Sequence, residues 1–205
     1  MTSSRPVPAE FDRALKLAAR GSWHECIRLI TMKPEIARTD KKRGTTLLVE
    51  TAHLCPPTSF VTAFVQAGGD INAKSEEGYA PLHALADNCK ASGTLESLRA
   101  LLDAGANPSA LGHAGWRPLH FVAKHGCIDF AKRLIDSGAN PNERADSPEE
   151  ETPLMIAARN GRSEFAKFLL AEGADTNLRD RNEWSAADHA RHLMHRALAK
   201  DLESK

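Results

Sequence analysis

The stretch GWRPLHFVAKHG, Gly115–Gly126, decides the fold. It sets a tryptophan between a glycine and an arginine, directly ahead of a proline and a periodic apolar run. Pro118 suits the first position of a helix, where its missing N–H would have no intrahelical partner anyway. Leu119, Val122 and Ala123 then fall at i, i+3 and i+4, one face of a helix. Gly126 ends it. Phe130, Leu134 and Ile135 mark a second helix, which stops at Gly138, where a left-handed residue is needed. Two helices this short cannot bury their own apolar stripe, so the stretch predicts neighbours of the same kind.

Those neighbours are present. GTTLLVETAH from Gly44, GYAPLHALAD from Gly78 and EETPLMIAAR from Glu150 align with GWRPLHFVAK, and their leucines Leu48, Leu82, Leu119 and Leu154 recur at intervals of 34, 37 and 35. A second word follows each: AGGDINA, AGANPSA, SGANPNE and EGADTNL, with glycines at Gly68, Gly105, Gly138 and Gly173. Degenerate copies flank them, ALKLAARGSWHECIRLI from Ala14 and WSAADHARHLMHRALAKDL from Trp184. Repetition at this period is the signature of modules that share one core by stacking.

The words and their spacing resemble the ankyrin repeat, with its T-P-L-H-x-A-A helix start and its G-A-D-x-N turn. The resemblance covers residues 11–202. It implies an all-α solenoid of helix-turn-helix modules joined by β-hairpin-like loops, with six copies at about 11–40, 41–75, 76–112, 113–145, 146–180 and 181–202. Residues 1–10 are expected to be disordered and 203–205 to form a tail. His83 and His120 take the family's T-P-L-H histidine, which implies a structural role tying backbone together.

Position +4 from the key leucine is Ala52, Ala86, Ala123 and Ala158, small enough to let helices approach closely. Arg191 stands there in the last copy, as a terminal cap requires. Thr46, Thr152 and Ser185 are expected to cap helices. Ala80 and Arg117 stand at that position in the middle copies, each costing about 1 kcal/mol. Copy two has Leu47 and Val49 where the family has proline and histidine, and should be the least regular. Extra residues fall within DNCKASGT and ADSPEEE.

Composition narrows the function. The chain has 205 residues with 27 basic and 27 acidic side chains, so no net field draws it to nucleic acid or anionic lipid. It has neither an apolar run long enough to span a membrane nor a signal-peptide pattern, and the expected compartment is the cytoplasm. Cys26, Cys55, Cys89 and Cys127 read as core or turn residues. One per copy, on helices about 8–10 Å apart, argues against both a disulfide and a zinc site. His189, His192 and His195 fall at i, i+3 and i+6 with no further ligand apparent, so they read as a solvated face rather than a metal site. No nucleophile–base pair, metalloprotease motif or phosphate-binding loop is present. We expect no catalysis and no cofactor.

Trp116 lies two residues before Pro118, and the same place in the other copies holds Thr45, Tyr79, Glu151 and Trp184. The chain has only three tryptophans and one tyrosine, so this is concentrated aromatic usage, and rigid aromatics dominate protein interfaces. The resemblance implies that this position points at partners from a concave side of loops and inner helices. Lys41, Lys42 and Arg43 give one loop a basic edge, and Asp146, Glu149, Glu150 and Glu151 give another an acidic one. Glu76, Glu77 and His113 belong to the same loops. Asp87, Asn88, Lys124, His125, Arg159 and Asn160 end the inner helices. The expected function is binding of another protein by a monomer, as adaptor or scaffold. The alternative is an inhibitor, similar to bacterial immunity proteins that neutralise a cognate toxin.

Overall fold

The computed structural model describes residues 9–38 and 46–204. Among them every regular element is helical. The chain divides into two compact units, Met1–Asn107 and Pro108–Lys205.

The first unit contains α1 (Ala9–Ala19), α2 (Trp23–Met32), α3 (Glu35–Arg38), α4 (Leu47–Thr51), α5 (Thr58–Gln66), α6 (Pro81–Asp87) and α7 (Thr94–Asp103). The inner helices α1, α4 and α6 pack in that order, and the outer helices α2, α5 and α7 pack in a second row. Phe11, Ile30, Leu48, Phe60, Phe64, Leu82, Leu85 and Leu98 fill the space between the rows. Each large apolar side chain removed from water contributes about 1.5–3 kcal/mol. Copy two, lacking the proline, has the shortest inner helix of this unit, and α4 gives way to a 3₁₀ turn at Ala52–Leu54. The one-turn α3 buries Ile36 and Ala37, and Arg38 donates to the Ala67 carbonyl at 2.8 Å. An arginine there satisfies a carbonyl that the end of α5 leaves open.

The second unit contains α8 (Pro118–His125), α9 (Ile128–Asp136), α10 (Pro153–Arg159), α11 (Ser163–Ala171), α12 (Ala186–His192) and α13 (Arg196–Glu203). Here α10 packs between α8 and α12, and it is buried on every side from Pro153 to Ala158. Leu119, Val122 and Ala123 are buried as their spacing predicts. On α9 the buried set is Phe130, Ala131 and Leu134, and Ile135 is only half-buried. The +4 alanines Ala52, Ala86, Ala123 and Ala158 are fully enclosed, whereas Arg191 is exposed.

Helix starts follow two schemes. Thr46, Thr152 and Ser185 accept from the N–H three residues on, as expected. Where Ala80 and Arg117 stand instead, the histidine three residues on turns back. His83 Nδ1 accepts from the Ala80 N–H at 3.0 Å and His120 Nδ1 from the Arg117 N–H at 3.2 Å. This is the reciprocal half of a capping box, with imidazole in place of carboxylate.

The turns between copies share one device. Asn72 donates to the Gly105 carbonyl and accepts from the Asn107 N–H; Asn142 does the same with Gly173 and Asp175. One side-chain amide thus satisfies a donor and an acceptor of the following turn. The chain reversals themselves form no strand among the described residues.

Three expectations need correction. Helix α1 begins at Ala9, so Ala9 and Glu10 are not part of a disordered tail; Glu10 pairs with Lys33 across to the end of α2. At the other end α13 includes Glu203, which pairs with Arg191. Cys26 and Cys55 are free thiols, but Cys89 and Cys127 are not. The spacing of helix axes does not govern these two, because both lie in turns. Residues 1–8, Lys205 and the loop with Lys41, Lys42, Arg43 and Thr45 lie outside the described residues.

Gly115, at φ 73°, has no room for a side chain, since a Cβ there would lie 1.8 Å from the Asp146 carbonyl oxygen. Gly115→Ala is expected to cost more than about 2 kcal/mol in chemical denaturation, and Thr152→Ala about 1 kcal/mol. Burial holds the His120 imidazole down to about 4 from its ordinary 6.5, so folding favours its neutral form. Stability is then level above pH 6.5 and falls as pH drops toward 4, by roughly 3 kcal/mol in all. A urea titration series should show this fall, and His120→Gln should flatten it.

Candidate functional site

Each described reversing loop closes on the same backbone hydrogen bond. Ser75 donates to the Tyr79 carbonyl, Gly112 to Trp116, Ala145 to Glu151 and Asp180 to Trp184, at 2.7–2.9 Å. These bonds place Tyr79, Trp116, Glu151 and Trp184 in one register. The residue ahead of each has a positive φ: Gly78, Gly115, Glu150 and Glu183.

In the second unit the loops are also stitched to each other. Asp146 donates to the Gly115 carbonyl at 2.8 Å and Arg181 to the Glu149 carbonyl at 3.1 Å. Trp116, the Glu149–Glu150 pair and Trp184 therefore lie on successive, mutually bonded loops. Trp116 is half-buried, with its ring edge-on to Phe121 at 5.2 Å and 6.3 Å from His120. One side rests on the start of α8 and the rest faces solvent. Trp184 is likewise half-buried, against His189 at 5.4 Å and His192 at 4.9 Å.

Arg117 explains the odd neighbour of Trp116. Its guanidinium turns back to the Ser109 carbonyl at 2.7 Å and pairs with Glu143 at 3.0 Å, both groups partly buried. The arginine fixes the loop from beneath, and the tryptophan stays on the outside.

Glu151 does not belong to the exposed set. It is 3% exposed, with one oxygen 3.3 Å from Arg159 and the other 4.0 Å from His189 Nε2. His189 is itself buried and lies 2.9 Å from Asp180, whose other oxygen accepts the Asn182 and Trp184 N–H groups. Burial pushes the Glu151 carboxyl up, opposed by Arg159 and His189. Sequence register gives Glu151 the same place as the tryptophans, but Arg159, on the last turn of α10, draws it inward. The same cluster separates the histidine run: His189 is a buried partner of Asp180, His192 is exposed beside Trp184, and His195 is half-buried against Gly161.

The remaining expected residues fall in two places. In the first unit Tyr79, Glu76 and Glu77 line a groove with Glu50 and His53, and Asn88 donates to the His53 carbonyl at 2.9 Å. Tyr79 sits edge-on to His83 at 6.2 Å, and burial raises its hydroxyl pKa. In the second unit His113 is exposed at the foot of the Trp116 loop. Lys124, exposed, and His125, Arg159 and Asn160, half-buried, end α8 and α10. The Asn160 amide caps its own helix at the Ile156 carbonyl, 2.7 Å away. Arg162 Nε donates to the Lys124 carbonyl at 3.0 Å, tying the end of α8 to the next hairpin. Among the described residues no group of three or more His, Cys, Asp or Glu side chains is placed to hold a metal ion.

Comparison with known proteins agrees with this architecture. The family model for ankyrin repeats in three copies matches residues 56–145, 85–180 and 119–200. A curated relative, ankyrin repeat and SOCS box protein 16 of Mus musculus, is 32% identical over 85 residues, which is 40% of this chain and 19% of that protein. The match thus spans about a fifth of the relative's length. Taken with the six helical hairpins and their recurring Asn turns, these matches establish that the chain belongs to the ankyrin-repeat family.

Proposed function

We propose that the chain is a non-catalytic module that binds another protein through its reversing loops and the ends of its inner helices, as an adaptor or scaffold. Ankyrin repeats mediate protein–protein interaction and are typically non-catalytic. The observation that carries the reading is the pair Trp116 and Trp184, held in one register on bonded loops with part of each ring open to solvent. Rings fixed from below lose little freedom on contact and bury a large area, the profile of interface hot spots. Glu149, Glu150 and His113 form the polar surround on the same loops, and Lys124, His125, Arg159 and Asn160 the floor. The first unit offers its own surface at Tyr79, Glu76, Glu77 and Asn88. Glu151 supports this face from within and is not a contact.

No helix among the described residues is long and apolar enough to cross a membrane. We place the module in the cytoplasm as a monomer, with a protein rather than nucleic acid or lipid as its partner and without a cofactor.

Affinity capture with the full chain, compared with a Trp116→Ala/Trp184→Ala variant, tests this. A specific partner should be lost, with affinity at least about thirtyfold weaker, as expected for hot-spot removal of 2 kcal/mol or more. Circular dichroism should show the helices intact. Every partner surviving the double change would refute the reading. A partner whose activity vanishes on mixing would replace the adaptor role with an inhibitory one.

A further inference from the structure

The second unit sorts its charge between two edges. Its hairpin tips, residues 124–128, 159–163 and 191–196, hold Lys124, Arg159, Arg162, Arg191 and Arg196 with three histidines, and no aspartate or glutamate. Its reversing loops carry exposed Asp146, Glu149, Glu150 and Glu183, with Arg179 and Arg181 exposed in the last of them. The tips are neighbours. Arg162 bonds to the Lys124 carbonyl, and Gly161 abuts the His195 ring so closely that a Cβ would lie 2.5 Å from it.

Helix stability accounts for only part of this. A cation in a last turn is favoured by the helix dipole, which covers Lys124, Arg159 and Arg191; a cation at a helix start is disfavoured. Arg162 is the N-cap of α11 and Arg196 is the first residue of α13. Positive charge therefore sits on both sides of these two turns, including the helix starts, where the dipole disfavours it, although Arg162 also bonds to the Lys124 carbonyl.

The last tip adds an apolar element. Met194 holds φ 65° at the position where the two preceding tips have Gly126 and Gly161. A non-glycine residue there costs roughly 1–2 kcal/mol, yet Met194 is 67% exposed and its neighbour Leu193 45% exposed. Arg159, held by Glu151, and Arg191, held by Asp188 and Glu203, are pinned but keep exposed area.

We propose that the three hairpin tips of the second unit form a docking edge for an acidic polypeptide segment carrying an apolar residue. Carboxylates meet the arginines, and the apolar side chain rests on Leu193 and Met194. The tips contain no Phe, Tyr or Trp on which bases could stack, and the acidic loops of the same unit repel a long polyanion, so a peptide fits better than a nucleic acid. The inference rests on the chain being a protein-binding module and specifies the chemistry of its partner.

Fluorescence anisotropy with the full chain tests it, using labelled peptides of Glu-Glu-Leu and Glu-Glu-Ser triplets and a single-stranded DNA of equal charge. The Glu-Glu-Leu peptide should bind saturably, more tightly than the other two, and more weakly as salt rises. Arg162→Gln/Arg196→Gln should weaken it about tenfold or more. Met194→Gly should raise the melting temperature by relieving strain, while abolishing the preference for leucine over serine. The proposal is overturned if the peptide does not bind saturably, if neither variant alters binding, or if DNA binds more tightly. If a captured partner is lost with the tryptophan variant but kept by the arginine variant, the docking edge fails and the module stands. If both variants keep it, the module reading fails as well.

Discussion

The structure depends on helices too short to stand alone. An inner helix of seven or eight residues has no stability of its own in water, and α10 buries every residue from Pro153 to Ala158 only because α8, α11 and α12 surround it. That dependence dictates the sequence. Alanine recurs at the closest approach, leucine four positions before it fills the layer, and proline starts the helix without an unpaired donor. The copy from Trp184 departs from the rule at Arg191, whose exposed side chain turns to Asp188 and Glu203.

A second consequence is that loop geometry repeats as strictly as the helices do. One closing hydrogen bond per loop sets the register of Tyr79, Trp116, Glu151 and Trp184, and bonds between loops hold the second unit's row together. The scaffold fixes where a side chain is presented but not what it is. Tryptophan at that position gives a half-open ring on a firm base. Glutamate at the same position, with Arg159 and His189 within reach, becomes a buried ionic contact. Function in such a fold lies in these substitutions on a constant frame.

The frame was readable in the sequence because each helix announces itself locally. Pro118, the Leu119 stripe and Gly126 need no knowledge of the rest of the chain, and repetition at a fixed period supplies the neighbours. What sequence could not supply was the direction of polar side chains once two copies meet. Arg117 looked like a lost cap, yet His120 takes over part of the capping and the arginine's own head reaches Ser109 and Glu143. Glu151 looked like a rim residue, and the two extra residues of its loop gave no sign that it folds inward. Evenly spaced histidines looked like one face, but Asp180 captures the first of them. Each of these depends on contacts between residues distant in sequence, which local periodicity does not encode.

The most direct test of the central claim is native-state hydrogen exchange on an Ile156→Ala variant, which hollows α10 at a fully enclosed position. If short helices stand only through their neighbours, amides of α8 and α12 should lose protection together with those of α10. Loss confined to α10 and α11, with α8 and α12 as protected as before, would contradict the account.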